Sequence, residues 1–257
     1  MLHGVGGVKG LRRAFEDFGQ LILFGGETLV WTARPPYRME LVLAQMSAIG
    51  AGSSFIVAIT GFFAGAVLAL QGHYAMRSFG AEGYVGGFVA IALVRELSPV
   101  FMALVVTGRS GSAICTEIGT MRVSEQIDAM ETMAVNPVQY LAVPRVLAAT
   151  LMFPALAMLF SSVGYLGGYL IGVHVSQIPP GPFLEHTREM VGVHDVLHGL
   201  LKALVFGAVI SIIACYRGYS ASGGSRGVGE GTTRAVVMSS IAILVLDYVI
   251  TFVALGS

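Results

Sequence analysis

The sequence predicts an all-α integral membrane protein with five transmembrane helices, an N-terminal amphipathic interfacial helix and a short cytoplasmic helix. Composition and span length carry that reading. Of the 257 residues, 55% are hydrophobic and 12% charged, whereas a soluble domain carries roughly 25% charged residues. Mean hydropathy is +0.77. Five stretches, 49–70, 88–107, 146–173, 200–216 and 235–255, are apolar over the ~20 residues that a bilayer crossing needs. The formal net charge of +0 argues against a nucleic-acid partner. The chain reads as one domain.

Residues 8–33 precede the spans. Leu11, Phe15, Phe18, Ile22 and Leu29 recur at helical spacing opposite Arg12, Arg13, Glu16 and Asp17, and Trp31 stands near the end. Such a helix lies in the plane of the membrane interface. Lys9, Arg12 and Arg13 lead into Glu16 and Asp17 rather than into the apolar core of a signal peptide. The first spans are therefore expected to serve as the insertion signal.

Among the spans, 146–173 is long enough to tilt or to protrude. Gly61/Gly65 and Gly164/Gly168/Gly172 repeat at i, i+4, a spacing that lets helices approach closely. With 34 glycines in the chain, chance explains each such pair about equally well. Lys and Arg set the orientation. With the N-terminus inside, the first segment (Lys9, Arg12, Arg13, Arg34, Arg38) and the 109–145 and 217–234 loops place eleven basic residues in the cytoplasm. Arg77 and Arg188 stay outside, with Lys202 near the membrane edge, as the positive-inside rule requires. Cys115 and Cys215 then lie near the cytoplasmic face, where thiols stay reduced. The outer loops, 71–87 and 174–199, are moderate in size.

Four charges interrupt the apolar spans: Arg95, Glu96, Lys202 and Asp247. A charge at the bilayer centre costs about 2.5–3.5 kcal/mol or more. At about 1.5 Å per residue, Arg95 and Glu96 lie roughly 10–12 Å from the outer end of their span, Asp247 roughly 12 Å and Lys202 roughly 5 Å. Two positives and two negatives thus share the outer half of the membrane. They are expected to face one another, or a wet outward-opening cavity, and to handle the head of an amphiphile. The competing reading is an ion-pair set that only fixes helix register.

The stretch 108–145 is too polar to span and too rich in helix formers to be slack. Ser124 is a plausible N-cap, with Glu125 and Asp128 in the first turn. Ile127, Met130 and Met133 are expected on one face, and Pro137 and Pro144 punctuate the exit. Such a helix either caps the bundle or is the handle a soluble partner pulls.

"GRSGSAICTEIGTMRVSEQIDAMETMAVNPVQYLAVPRVLA" resembles the signature of the MlaE family of ABC-transporter permeases, which includes YrbE-type and plastid lipid-import permeases. "LVRELSPVFMALVVTGR" and "GGSRGVGEGTTRAVVMSSIAILVLDYVIT" fit the same pattern. The resemblance runs from about Ala44 to the end. It implies a five-span homodimeric permease of the bacterial inner membrane, with the N-terminus cytoplasmic and the C-terminus periplasmic. It implies that Glu125, Gln126, Asp128, Met130 and Met133 form a coupling helix docked on a separate ABC ATPase, two copies of which bind the ATP and Mg. It implies phospholipid or related cargo passed along Arg95, Glu96, Lys202 and Asp247, with outer-membrane lipid asymmetry as the outcome. A hexameric MCE-domain protein outside and, in some systems, a STAS-domain subunit complete the expected partners. Cys115, Thr116 and Ser98 depart modestly from the family pattern, which more often has alanine or glycine there.

Other motifs are weak. No G-x-x-x-x-G-K-[ST] loop occurs, and Gly223–Thr233 lacks the lysine of a phosphate cradle. No G-x-S-x-G elbow is present. His194 and His198 stand at i, i+4, with no third ligand evident nearby except Asp195, which points elsewhere on a helix, and His186, so "HDVLH" reads as solvated outer loop without metal or cofactor. A proton-coupled secondary lipid transporter and an intramembrane lipid-modifying enzyme are the alternatives. The first usually shows an inverted repeat, which five spans do not provide.

Overall fold

The computed structural model of the chain describes residues 4–35 and 38–255, with side chains from Phe15 to Ala254. The predicted roles of Lys9, Leu11, Arg12 and Arg13 fall outside the described side chains. The described residues are mostly helical: α1 (Gly4–Thr32), α2 (Met39–Arg77), α3 (Glu82–Val123), α4 (Gln126–Thr132), α5 (Val138–Val175), α6 (Pro180–Met190), α7 (Val193–Tyr219) and α8 (Gly224–Leu255). Helices α2, α3, α5, α7 and α8 are the five long and apolar enough to cross a membrane. All five outrun the predicted spans. The predicted outer loops are correspondingly shorter, because α2 runs on to Arg77 and α6 folds back over the bundle.

Glycine sets the closest crossing. A Cβ at Gly65 would fall 1.8 Å from the Gly164 carbonyl oxygen, and one at Gly61 would fall 2.8 Å from that of Phe160. Helices α2 and α5 therefore touch backbone to backbone, which only small residues allow. The predicted i, i+4 pairs are packing features, except that Gly172 meets the Phe183 ring of α6 instead. Phe183 is fully buried there, beside Tyr165 and Tyr169.

In two of the long helices a proline accounts for one of the π turns. In α3 the Ser98 N–H reaches back five residues to the Leu93 carbonyl. Pro99 follows, with no N–H to offer Arg95 and a ring that would strike that carbonyl. A π turn at Leu93–Leu97 absorbs the conflict. Pro144 follows a π turn at Val138–Ala142 in the same way. The first of these turns holds Arg95 and Glu96, so the proline sets how both side chains leave the helix.

Helix α1 keeps Phe24 and Thr28 against the bundle and turns Phe15, Phe18, Ile22 and Leu29 outward. An apolar stripe left uncovered by protein suits an interfacial helix sunk in lipid. Its polar side is pinned to α7. Arg217 donates to Asp17 through Nη1 at 3.2 Å and Nη2 at 2.5 Å, and the Tyr216 hydroxyl donates to Asp17 at 2.8 Å. Burial works to raise the Asp17 pKa, but these hydrogen bonds and the Arg217 charge outweigh it and hold the carboxyl below its usual 3.8.

Candidate functional site

Lys202 is the centre of the charged site. It is 0% exposed, and its ammonium donates to Glu96 of α3 and lies 2.8 Å from Asp247 of α8. The second contact is an ion pair without hydrogen-bond alignment. The Thr251 hydroxyl approaches Glu96 Oε2 at 3.5 Å. Three spanning helices thus meet on one buried cation, which pays for its desolvation with two carboxylates. The Glu96 side chain remains 39% exposed and Asp247 23%, so the carboxylates, not the lysine, form the accessible edge.

Three expectations need correction here. Helix α7 begins at Val193, so Lys202 lies nine residues along it, about 14 Å, rather than roughly 5 Å from the start of its span. Arg95 does not join the cluster. Neighbours on a helix diverge by about 100°, and Arg95 Nη1 instead donates to Asp195 Oδ1 at 3.2 Å. Asp195 is a site residue that the sequence reading passed over. Its other oxygen accepts from the Gly192 N–H at 2.8 Å, capping the first turn of α7. "HDVLH" is therefore not a solvated loop but the opening of a spanning helix. His198 is 7% exposed, one turn before Lys202, with Nε2 unpartnered among the described residues. The signal was available: a glycine followed three residues later by an aspartate, ahead of an apolar run.

At the opposite end α4 is bolted down on two sides. Ile127 is fully buried, Arg122 of α3 meets Asp128 at 2.5 Å, and the Tyr219 hydroxyl of α7 donates to Glu131 at 3.0 Å. Ser124 is not the N-cap. Its hydroxyl bonds back to the Thr120 carbonyl at 2.7 Å, closing α3, and Glu125 takes a left-handed conformation (φ 59°) to start α4. Met133 is 67% exposed and does not share the buried face. Each three-residue step falls about 60° short of a turn, so two steps carry it about 120° away from Ile127. Met130 is half-buried, whereas Glu125, Gln126 and Met133 point outward. Nearby, the buried Arg145 reaches Glu117 at 2.8 Å.

Five crossing helices tied by an intramembrane ion cluster, with a short helix bolted to two of them, have the makings of a membrane permease. The comparisons say which kind. The family model described as Permease MlaE matches residues 42–253, and the chain belongs to that family. It is 44% identical over 236 residues to a probable ABC transporter permease protein of Rickettsia conorii, covering 92% of this chain and 91% of that one. It is 38% identical over 249 residues to the intermembrane phospholipid transport system permease protein MlaE of Haemophilus influenzae, covering 96% and 92%. The Arabidopsis thaliana chloroplastic protein TRIGALACTOSYLDIACYLGLYCEROL 1 is 34% identical over 229 residues, covering 89% of this chain and 65% of that one. The protein is thus a multi-pass inner-membrane ABC-transporter permease, a transporter subunit rather than an enzyme, and its class implies a separate ATPase partner.

Proposed function

We propose that the protein moves phospholipid, or a closely related lipid, between the inner membrane and an external MCE-protein conduit. Two copies act together, driven by two ATPase subunits that bind ATP and Mg, and in some systems a STAS-domain subunit joins the assembly. On this reading the N-terminus and α4 are cytoplasmic, the C-terminus is periplasmic, and outer-membrane lipid asymmetry is the outcome. The observation that carries the reading is the fully buried Lys202 bridging Glu96 and Asp247 from three spanning helices in a chain of this family.

The chemistry suits an amphiphile. The two carboxylates offset the cost of burying the Lys202 ammonium. A headgroup phosphate arriving at the exposed Glu96 edge can take the place of one carboxylate on the ammonium, while apolar walls receive the tails. Energy enters at the far end. Helix α4 is fixed to α3 through Asp128–Arg122 and to α7 through Glu131–Tyr219. These two helices also carry Glu96 and Lys202, so a push on the outward-facing Glu125, Gln126 and Met133 reaches the charged site through rigid helices.

Proteoliposomes containing the permease and its ATPase, loaded with fluorescent phospholipid, test both halves. Glu96→Gln and Asp247→Asn should each reduce lipid movement while assembly persists. Glu125→Lys or Asp128→Lys should leave ATP hydrolysis running without transport. Full transport by both carboxylate variants overturns the cargo reading, and intact coupling in both charge reversals overturns the role of α4.

A further inference from the structure

Arg109 is a charged side chain that the Lys202 site leaves unused. It stands in a second π turn of α3, Thr107–Gly111, where the Ser112 N–H reaches back to the Thr107 carbonyl. The side chain crosses to α2 and is held there. Its Nη1 donates to the Ala48 carbonyl at 3.3 Å, to Ser53 Oγ at 3.1 Å and to Ser110 Oγ at 3.4 Å. Ser53 and Ser110 are buried and hydrogen-bond one another at 3.1 Å. The guanidinium lies across Gly52, where a Cβ would come within 2.5 Å of Nη2.

This arrangement fixes a cation without neutralising it. All three acceptors are uncharged and all sit on one nitrogen, and among the described residues no carboxylate pairs with Arg109. A guanidinium has five N–H donors in a planar fork suited to two oxygens of one anion. Among the described residues Nε and Nη2 keep theirs, on an exposed residue. Arg109 stands thirteen residues beyond Glu96 along α3, about 20 Å away, so it belongs to a different level of the membrane. From Gly52 an outward stripe of Ile56, Ile59 and Phe63 runs along α2, 42%, 43% and 62% exposed. An anchored, unneutralised cation at the head of an apolar stripe has the shape of a lipid: phosphate first, chain after.

We propose that Arg109, seated on Gly52, Ser53 and Ser110, binds the phosphate of a lipid headgroup, with an acyl chain lying along Ile56, Ile59 and Phe63. This is a binding site separate from the Lys202 cluster, and it stands whether or not that cluster handles cargo.

The test uses the full-length chain in micelles with a photo-crosslinking benzoylphenylalanine at position 56. The probes are dioctanoyl phosphatidylglycerol, dioctanoylglycerol and inorganic phosphate. The phosphate-bearing lipid should crosslink at about tenfold lower concentration than dioctanoylglycerol, as charge-assisted hydrogen bonds predict. Arg109→Gln should abolish that preference. Gly52→Ala should also abolish it, because the new methyl displaces only the flexible end of the arginine. Arg109→Lys should retain part of it. Equal crosslinking of the two lipids overturns the proposal, as does an unchanged preference in Arg109→Gln. Displacement of phosphatidylglycerol by equimolar inorganic phosphate shows a free-phosphate site and overturns the lipid assignment. Loss of self-association in Arg109→Gln shows a contact with a second copy and also overturns it.

Discussion

Lys202→Met removes the cation that Glu96 and Asp247 share. At the 2.8 Å separation from Asp247, the gross attraction is about 6 kcal/mol for an effective dielectric constant near 20. The cost of burying the ammonium offsets part of this, and Glu96, 39% exposed, is partly screened by water. Breaking a buried ion pair by removing one partner costs about 3–5 kcal/mol, and that is the destabilisation expected here. The triple variant Lys202→Met/Glu96→Gln/Asp247→Asn leaves no buried charge behind, so it should recover most of the stability while transport stays lost. Reversible unfolding in mixed micelles measures the first quantity, and lipid movement in proteoliposomes with the ATPase measures the second. If the triple variant transports normally, the charges only fix helix register. If Lys202→Met unfolds like the parent, the three helices do not meet on this side chain.

Asp195→Asn should free Arg95 but keep an acceptor for the Gly192 N–H, whereas Asp195→Ala should lose both and cost about 1 kcal/mol more; equal losses in unfolding experiments would contradict the double role. Gly65→Ala drives a methyl to 1.8 Å from the Gly164 carbonyl and should cost at least 1–3 kcal/mol, about the usual penalty for overpacking. Gly181→Ala, with nothing within 4 Å, should be neutral and serves as the control. Asp17→Asn should loosen α1 at every pH above the usual carboxylate value and make little difference once Asp17 itself is protonated, read from the fluorescence of Trp31, the single tryptophan. Because the folded Asp17 pKa is depressed below 3.8, its contribution is complete above that value and lost only as pH falls further. Release of α1 near neutral pH in the parent chain would refute that sign.

Length and hydropathy alone determined the helical spans of this protein and their number, because a bilayer leaves a chain no cheaper way to satisfy its backbone. The same is true of Glu96, Lys202 and Asp247, whose cost in an apolar run marked them before any contact was known. Their pairing was decided only in three dimensions. Arg95 and Glu96 are neighbours in sequence, yet they serve different partners, since a helix turns adjacent side chains apart and Pro99 forces a π turn beneath them. Asp195 and His198 looked like loop because polar residues opening a spanning helix have loop-like composition. Met133 left its predicted face because a three-residue step is not a full helical turn. The role of the glycines likewise rested on tertiary structure, for a small residue shows its use only when another backbone lies against it, as Gly164 does against Gly65.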